Sequence, residues 1–157
     1  MMGGAVRTQG NVEHAGHDGT AEWNIFNNPK AAQTVIESGI KITMVPLDAT
    51  NKVPLTRTFL DSLKAQEKYA SSRLLFEAWN LAATYIDQGT YYFWDTLTSA
   101  SILKPDLIKT ERMRIKVVVN GPSQGRMVES SDGHWVDVAV DADRRAVEEL
   151  FLTMLKK

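Results

Sequence analysis

The sequence predicts an α/β fold, in which an open β-sheet has flanking helices and ends in a small C-terminal β-meander. Three observations support this class. A capped helix leads directly into a short β-branched run, which is the helix-to-strand half of an α/β unit. A long stretch with helical periodicity follows, and the last third of the chain changes to short strand-like segments separated by turn sequences.

The helix-to-strand unit begins at Asn28, which is a suitable N-cap residue. Pro29 then occupies the first helical position and Gly39 follows the end of the helix. Residues 40–45 are short and β-branched, as expected of a buried strand. The carboxyl ends of strands in open α/β sheets are where ligands bind, so Asp48 is expected at that edge, without a defined role.

Helical periodicity continues over residues 56–88 and breaks near residues 70–72, which predicts two helices, the second ended by Gly89. A third helix is predicted to begin at Asp95, acting as its N-cap, and to stop before Pro105.

The C-terminal third predicts three strands and one helix. The strands are expected at residues 113–119, 126–129 and 135–140. The turn sequences NGPSQG and SSDG separate them, which is the pattern of a meander. The final helix is predicted to start near Asp141 or Asp143. Residues 1–27 show no sustained period and predict a loop, with a short strand at the very start.

The composition indicates one globular domain over residues 1–157, because 43% of the residues are hydrophobic and the chain is long enough to bury a core. The 18 basic and 19 acidic residues nearly cancel and neither sign forms a run, so nucleic acid is not an expected partner.

The chain has no cysteine, which excludes disulfides and thiolate metal sites and suits a reducing compartment. The first residues lack the apolar core of a signal peptide, and no segment approaches the roughly 18 apolar residues of a membrane span. A soluble, cytoplasmic protein without a membrane partner is therefore expected.

Three segments carry a resemblance to a known family. They are MGGAV with GNV, AEWNIFNNPKAA followed by ITMVPLDAT, and FWDTLTSASILKPDLI followed by a strand and GRMV. In this order they resemble nucleoside hydrolases of the inosine-uridine-preferring type. The resemblance covers nearly the whole chain and corresponds to the C-terminal half of that family's open sheet, with the N-terminal parallel strands missing.

The resemblance implies an enzyme that hydrolyses the N-glycosidic bond of ribonucleosides with a bound Ca²⁺. Such chemistry needs a carboxylate base near the metal, polar groups that hold the ribose, and help for the departing base. The family's acidic D-x-D-P-G-x-D-D motif does not occur in this sequence. The calcium site is therefore expected to be incomplete, and no catalytic residue is assigned securely.

The resemblance also implies roles for individual residues. Asp95 matches a metal-binding aspartate, whereas an N-cap role explains it without the family. Glu22, Asn24 and Asn11 match groups that hydrogen-bond the ribose, whereas loop polar groups near a helix start often bind their own backbone. Met2 matches a residue that lines the ribose pocket.

Trp94 stands where many family members have a histidine that protonates the leaving base. An indole N–H donates a hydrogen bond but does not titrate in the useful range, so Trp94 is predicted to contact the nucleobase and not to act as an acid. The alternative is a buried aromatic residue beside Tyr91.

His14 and His17 have an H-x-x-H spacing, which allows either a transition-metal site or a flexible polar loop beside the pocket.

Three functions remain open at this point. The first is a truncated or split nucleoside hydrolase, inactive by itself, that associates with a missing N-terminal half or forms a homo-oligomer. The second is a non-catalytic ribose- or nucleoside-binding module. The third is a structural or interaction module that pairs through an exposed sheet edge.

Overall fold

The structure is a computed structural model and describes residues 1–156. The chain divides into two compact units. The first comprises Met1–Thr50 and Ile108–Ala142, and the second comprises Asn51–Leu107 and the segment from Asp143 onwards. The prediction of a single domain stays a prediction.

A four-stranded open sheet forms the centre of the first unit, which confirms the predicted α/β class. Its strands are β1 (Thr43–Met44), β2 (Ile108–Val117), β3 (Met127–Glu129) and β4 (His134–Ala142). The strand order is β1-β4-β2-β3. β1 and β4 are parallel, whereas β2 is antiparallel to both β3 and β4.

The three C-terminal strands are confirmed, but their order is not that of a meander. β3 and β4 do not pair with each other, because both pair with β2, which is therefore central. The three residues of β3 cannot satisfy the backbone of the nine-residue β4, whereas the ten-residue β2 can. The length of the available ladder thus determines which strand β4 joins.

The predicted strand over residues 40–45 is shorter than expected. β1 contains only two residues, and Val45 continues it as an isolated parallel bridge to Met2. Ile40 is 63% exposed, so the first part of the apolar run is not a buried strand. The short strand predicted at the start of the chain is likewise reduced to this single bridge.

Three helices belong to the first unit: α1 (Trp23–Asn27), α2 (Pro29–Glu37) and α3 (Leu47–Thr50). α2 confirms the prediction, since the side chain of Asn28 accepts a hydrogen bond from the backbone N–H of Ala31 at 3.0 Å. The sequence pattern did not predict α1, which lies in a segment interpreted as loop. α2 buries Ala32 and Ile36 in the core of this unit.

The core of the first unit lies on one face of the sheet. β2 alternates from Met113 onwards, so that Met113, Ile115 and Val117 are buried and the residues between them are exposed. Val136 and Val138 of β4 share this core. The opposite face of β2 therefore presents polar and charged side chains to solvent.

Five helices belong to the second unit: α4 (Arg57–Lys64), α5 (Ala70–Asn80), α6 (Ala83–Asp87), α7 (Trp94–Leu103) and α8 (Arg144–Met154). A 3₁₀ turn at Pro105–Leu107 follows α7. The N-cap of α8 is Asp143, which is one of the two starts predicted for this helix. Its carboxylate accepts a hydrogen bond from Ala146 N–H at 3.0 Å.

The prediction of two helices over residues 56–88 is wrong, because this stretch contains three. The apolar face predicted for the first helix is buried, as Phe59, Leu60 and Leu63 show, but the face predicted for the second is not: Leu74 is 69% exposed and Leu81 is 91% exposed. Burial in this second part is instead centred on Trp79 and Ile86, and the chain leaves the helical conformation at Ala82, between α5 and α6. The tertiary packing overrides the apparent periodicity here.

The core of the second unit is an aromatic cluster. Phe93 lies 5.2 Å from Phe59, 5.3 Å from Trp79 and 5.5 Å from Phe151, measured between ring centroids and in edge-to-face geometry. None of the helices within residues 1–156 has the length and apolar character needed to cross a membrane.

Candidate functional site

The structure places four of the six predicted site residues together in the first unit. Met2, Asn11, Glu22 and Asn24 all lie around the start of α1. The side chains of Asn11 and Glu22 accept hydrogen bonds from the backbone there, and Met2 contacts the side chain of Asn24. Trp94 and Asp95 belong to the second unit, at the start of α7.

Glu22 is the organising residue of this cluster. Its carboxylate is 2% exposed and accepts hydrogen bonds from three backbone N–H groups: Gly4 at 2.9 Å, Asn24 at 2.9 Å and Ile25 at 3.2 Å. Two of these bonds cap α1, and the third holds the glycine-rich start of the chain against the helix. The backbone of Gly4 has a φ of +91°, which favours glycine there.

Asn11 fixes the loop that precedes α1. Its side-chain oxygen accepts a hydrogen bond from Trp23 N–H at 2.8 Å, and its own N–H donates to the carbonyl of Ala21 at 3.0 Å. Gly10 makes this approach possible, since an alanine Cβ there would lie only 2.0 Å from the Ala21 carbonyl oxygen. The amide nitrogen of Asn11 remains on the exposed side of the loop.

Asn24 and Met2 lie next to each other at the surface of the cluster. The amide nitrogen of Asn24 is 3.2 Å from the sulfur of Met2, which is a weak acceptor. Asn24 is exposed, and its carboxamide is therefore available to a polar ligand. Glu22 differs from it, because its carboxylate is buried and already has three donors.

Asp48 has the structural role that the sequence did not define. Its two carboxylate oxygens accept hydrogen bonds from the backbone N–H groups of Val6 at 2.9 Å and Arg7 at 2.7 Å. The backbone N–H of Leu47 also donates to the carbonyl of Gly4 at 2.9 Å. Glu22 and the segment after β1 thus hold the same N-terminal loop from two positions.

Arg7 is a further residue of this region that sequence reasoning missed. Its guanidinium contacts the carboxylates of Glu129 at 2.7 Å and Glu111 at 2.8 Å, and these hydrogen bonds raise the pKa of Arg7 above its ordinary value. No local motif marks Arg7, because its partners lie more than one hundred residues away in the sequence.

Trp94 packs edge-to-face on Tyr91, with ring centroids 4.9 Å apart, and lies 5.7 Å from Tyr92. Its indole N–H is buried and has no hydrogen-bond partner among residues 1–156. A buried donor without a partner is costly, so this N–H is a group that a ligand could satisfy.

Asp95 is not the N-cap that the sequence predicted. The N-cap of α7 is Phe93, two residues earlier, and the helix begins at Trp94, because the N–H of Leu97 already bonds to the carbonyl of Phe93 at 2.8 Å. Asp95 therefore lies in the first turn, where a negative charge interacts favourably with the helix dipole. Its side chain is exposed.

The H-x-x-H alternative for His14 and His17 does not form a metal site. Both ring nitrogens of His17 are occupied, since Nδ1 accepts from Gly19 N–H at 2.9 Å and Nε2 is 2.9 Å from the carbonyl oxygen of Gln124. No group of three or more histidine, aspartate or glutamate side chains that could hold a metal occurs in the part of the chain that the structure describes.

A hydrogen-bonded carboxylate secures the loop that carries His17. Hydrogen bonds from the hydroxyls of Ser123 and Thr20 lower the pKa of Asp18 to about 2. The bond to Ser123 joins this loop to the loop between β2 and β3.

Replacing Ser123 with alanine is expected to raise the pKa of Asp18 towards its ordinary value, because the strongest of these hydrogen bonds is lost. Since the folded-state pKa is lowered, this contribution to stability is present above the ordinary aspartate pKa and is lost as the pH falls towards 2. A carbon-detected NMR titration of the Asp18 carboxyl group measures the change. Ser130→Ala is the matched control, because Ser130 bonds to Asp132 instead; an equal effect of both variants on Asp18 would contradict the assignment.

Comparison with known proteins agrees with this architecture. Residues 1–149 match the sequence profile of the inosine-uridine preferring nucleoside hydrolases. The solved structure of an inosine-uridine preferring nucleoside hydrolase from Bacillus anthracis superposes with a TM-score of 0.88 and 38% identity, covering 99% of this chain and 49% of that one. The chain is a member of the inosine-uridine preferring nucleoside hydrolase family.

Two curated relatives extend the comparison. Nucleoside hydrolase 3 of Arabidopsis thaliana is 31% identical over 135 residues, which are 72% of this chain and 14% of the relative. A pyrimidine-specific ribonucleoside hydrolase of Escherichia coli is 32% identical over 139 residues, which are 82% of this chain and 40% of the relative. The chain thus spans about half or less of the length of these relatives.

Proposed function

We propose that the chain provides the ribose-binding part of a ribonucleoside hydrolase, which splits the N-glycosidic bond of a ribonucleoside into ribose and free base. Family membership over residues 1–149 is the observation that carries this proposal. The clustering of four predicted substrate residues around the start of α1 supports it. The cytoplasmic location expected from the sequence stays a prediction.

The chemistry of the cluster suits a sugar. The exposed carboxamide of Asn24 offers both a donor and an acceptor to ribose hydroxyls, and the amide of Asn11 offers further donors. Met2 supplies an apolar surface beside Asn24. In this proposal Glu22 acts mainly by positioning the backbone of Gly4 and Asn24, because its carboxylate is buried behind them.

Trp94 is proposed to contact the nucleobase through its ring or its unpartnered N–H. It holds no transferable proton at neutral pH, so protonation of the leaving base is not assigned to it.

A calcium ion does not fit the described residues as a complete site. Ca²⁺ takes about six to eight oxygen ligands. Asp95 provides a single exposed carboxylate, and it does not belong to a cluster of three or more potential metal ligands within residues 1–156. We propose Asp95 as one ligand of a metal whose other ligands lie outside the described residues.

The 157-residue chain by itself is expected to show no ribonucleoside hydrolysis, because none of its described residues is placed as a base that activates water. Chromatography measures the release of free base from inosine and from uridine in the presence of calcium. Calcium-dependent release that Asp95→Ala abolishes would overturn this expectation. Asp106→Ala, an exposed acidic residue of the 3₁₀ turn, is the matched control.

No cluster of three or more histidine, aspartate or glutamate side chains that could hold a metal occurs within residues 1–156, which is compatible with a second candidate, a module that binds ribose or nucleosides without hydrolysing them. Calorimetric titration with a nucleoside distinguishes the hydrolase part from the binding module. Saturable binding of nucleoside without metal, weakened by Asn24→Ala, supports a binding module, and the lack of any binding by the isolated chain counts against it. A purely structural or interaction module remains if neither binding nor hydrolysis is found.

A further inference from the structure

A cleft at the amino-terminal end of the parallel pair β1 and β4 has no part in the proposed function. It has a volume of about 480 Å³, and its walls come from the end of α2, the segment before β1 and the first residues of β4. It belongs entirely to the first unit. Its size is in the range of pockets that hold small organic molecules.

One wall of the cleft is apolar. Ile36 and Ile42 are buried beneath it, whereas Ile40 is 63% exposed and extends this surface to solvent. Trp135 also lines the cleft and is 52% exposed. A large apolar and a large aromatic side chain are thus both left open to solvent in the lining of one concave surface, which favours a ligand with a flat or apolar body.

Two arginines of β2 lie beside the Trp135 ring. The guanidinium carbon of Arg114 is 5.0 Å from the centroid of the ring and that of Arg112 is 5.6 Å away, both at cation–π distance. Arg114 also donates a hydrogen bond to the carbonyl of Ser131. These contacts favour one orientation of the half-exposed ring.

Arg112 differs from Arg7 and Arg114 in the partners of its guanidinium. Arg7 is bound by two carboxylates and Arg114 by a backbone carbonyl, whereas the guanidinium of Arg112 has no hydrogen bond or ion pair to another residue within residues 1–156. It lines the cleft directly. A guanidinium presents a planar set of donors that matches a carboxylate or a phosphate.

The charge of the cleft favours an anion. Lys41 and Arg112 are both positive, and His134 adds an imidazole. Asp137 is the one acidic residue in the lining, and its carboxylate is 3.9 Å from the ammonium of Lys41, at the limit of an ion pair. Two cations thus face one carboxylate.

We propose that this cleft binds an organic anion, with its carboxylate or phosphate on Arg112 and its flat apolar body against the exposed apolar lining that Ile40 and Trp135 provide. The proposal does not depend on ribonucleoside hydrolysis, because it uses none of the residues assigned to that function.

The test is heteronuclear NMR of the 157-residue chain, following the indole N–H of Trp135, which is assigned with Trp135→Phe. The probes are phenyl phosphate and benzoate, which share the body and differ in the anion. Benzamide tests the need for charge, and inorganic phosphate tests the need for the apolar body. At least one of the two anions is expected to bind saturably with a Kd of about 1 mM, and benzamide and inorganic phosphate about tenfold more weakly. Binding of only one anion identifies the preferred headgroup.

Arg112→Gln is expected to weaken the binding anion about tenfold or more, because the charge-assisted hydrogen bonds are lost. Arg112→Lys retains the charge and is expected to recover part of the affinity. The control is Arg145→Gln, which removes an exposed guanidinium bound to Glu149 on α8 and is expected to leave affinity unchanged. The proposal is overturned if neither anion gives a saturable shift up to about 10 mM. It is also overturned if benzamide binds equally well, or if both arginine-to-glutamine variants behave alike.

Discussion

Gly10→Ala is expected to destabilise the first unit by about 3 kcal/mol or more, because the new methyl group has no space. A Cβ at this position would lie 2.0 Å from the carbonyl oxygen of Ala21 and 2.6 Å from its nitrogen, and backbone atoms cannot move aside as a flexible side chain can. The hydrogen bonds from Asn11 and Val12 to the same carbonyl would be lost with the displacement.

Urea unfolding followed by circular dichroism measures this change as a lower midpoint. Gly16→Ala is the matched control, because no atom lies within 4 Å of a Cβ there. Its φ of +83° still makes an alanine unfavourable by about 1–2 kcal/mol, so the control separates backbone conformation from the steric clash. A loss of stability no greater than that of the control would show that the loop yields easily at Gly10.

Glu22→Ala is the second change with a large expected effect, a loss of about 3 kcal/mol in the free energy of unfolding. It removes the cap of α1, which contributes about 1 kcal/mol, and leaves the buried N–H of Gly4 without an acceptor, at a further cost of about 1–3 kcal/mol. The carboxylate of Glu22 is 2% exposed and accepts three hydrogen bonds, none of which an alanine side chain can replace.

Glu13→Ala is the control for Glu22→Ala, since Glu13 is an exposed carboxylate of the same loop. Its replacement is expected to change the stability by less than about 0.5 kcal/mol. Glu22→Gln adds a sharper comparison. It retains the shape of the side chain but directs amide hydrogens at backbone donors, so it is expected to be destabilising as well. A neutral result for both Glu22 variants would refute the organising role of the carboxylate.

Local rules predicted those elements that depend on local chemistry. Asn28 and Pro29 start α2 and Asp143 starts α8, as expected, because an N-cap needs only residues within one helical turn. The same rule misplaced Asp95, because the N-cap of α7 is the buried Phe93, whose side chain makes no capping hydrogen bond and therefore leaves no local signal.

The sequence did not predict the features that depend on contacts between distant parts of the chain. The order of β2, β3 and β4 depends on how many residues of each strand can pair with a neighbour. The sequence pattern ended β4 at residue 140, whereas the strand continues to Ala142. The exposed Leu81 resembles a core residue in any periodic pattern. In the candidate site, the residue identities came from the family resemblance, whereas the burial of Glu22 and the role of Asp48 required the coordinates.

The discontinuity of the first unit has a consequence for the order in which it folds. β2 and β4 are close in the sequence and can form an antiparallel pair early, because closing their connection costs little chain entropy. Thr43 and its partner Asp137 are 94 residues apart (137 minus 43), with most of the second unit between them. Pairing over such a separation is slow. β1, and with it the loop that Glu22 and Asp48 hold, is therefore expected to join the sheet last, so that the cluster of residues around the start of α1 forms in the final step of folding.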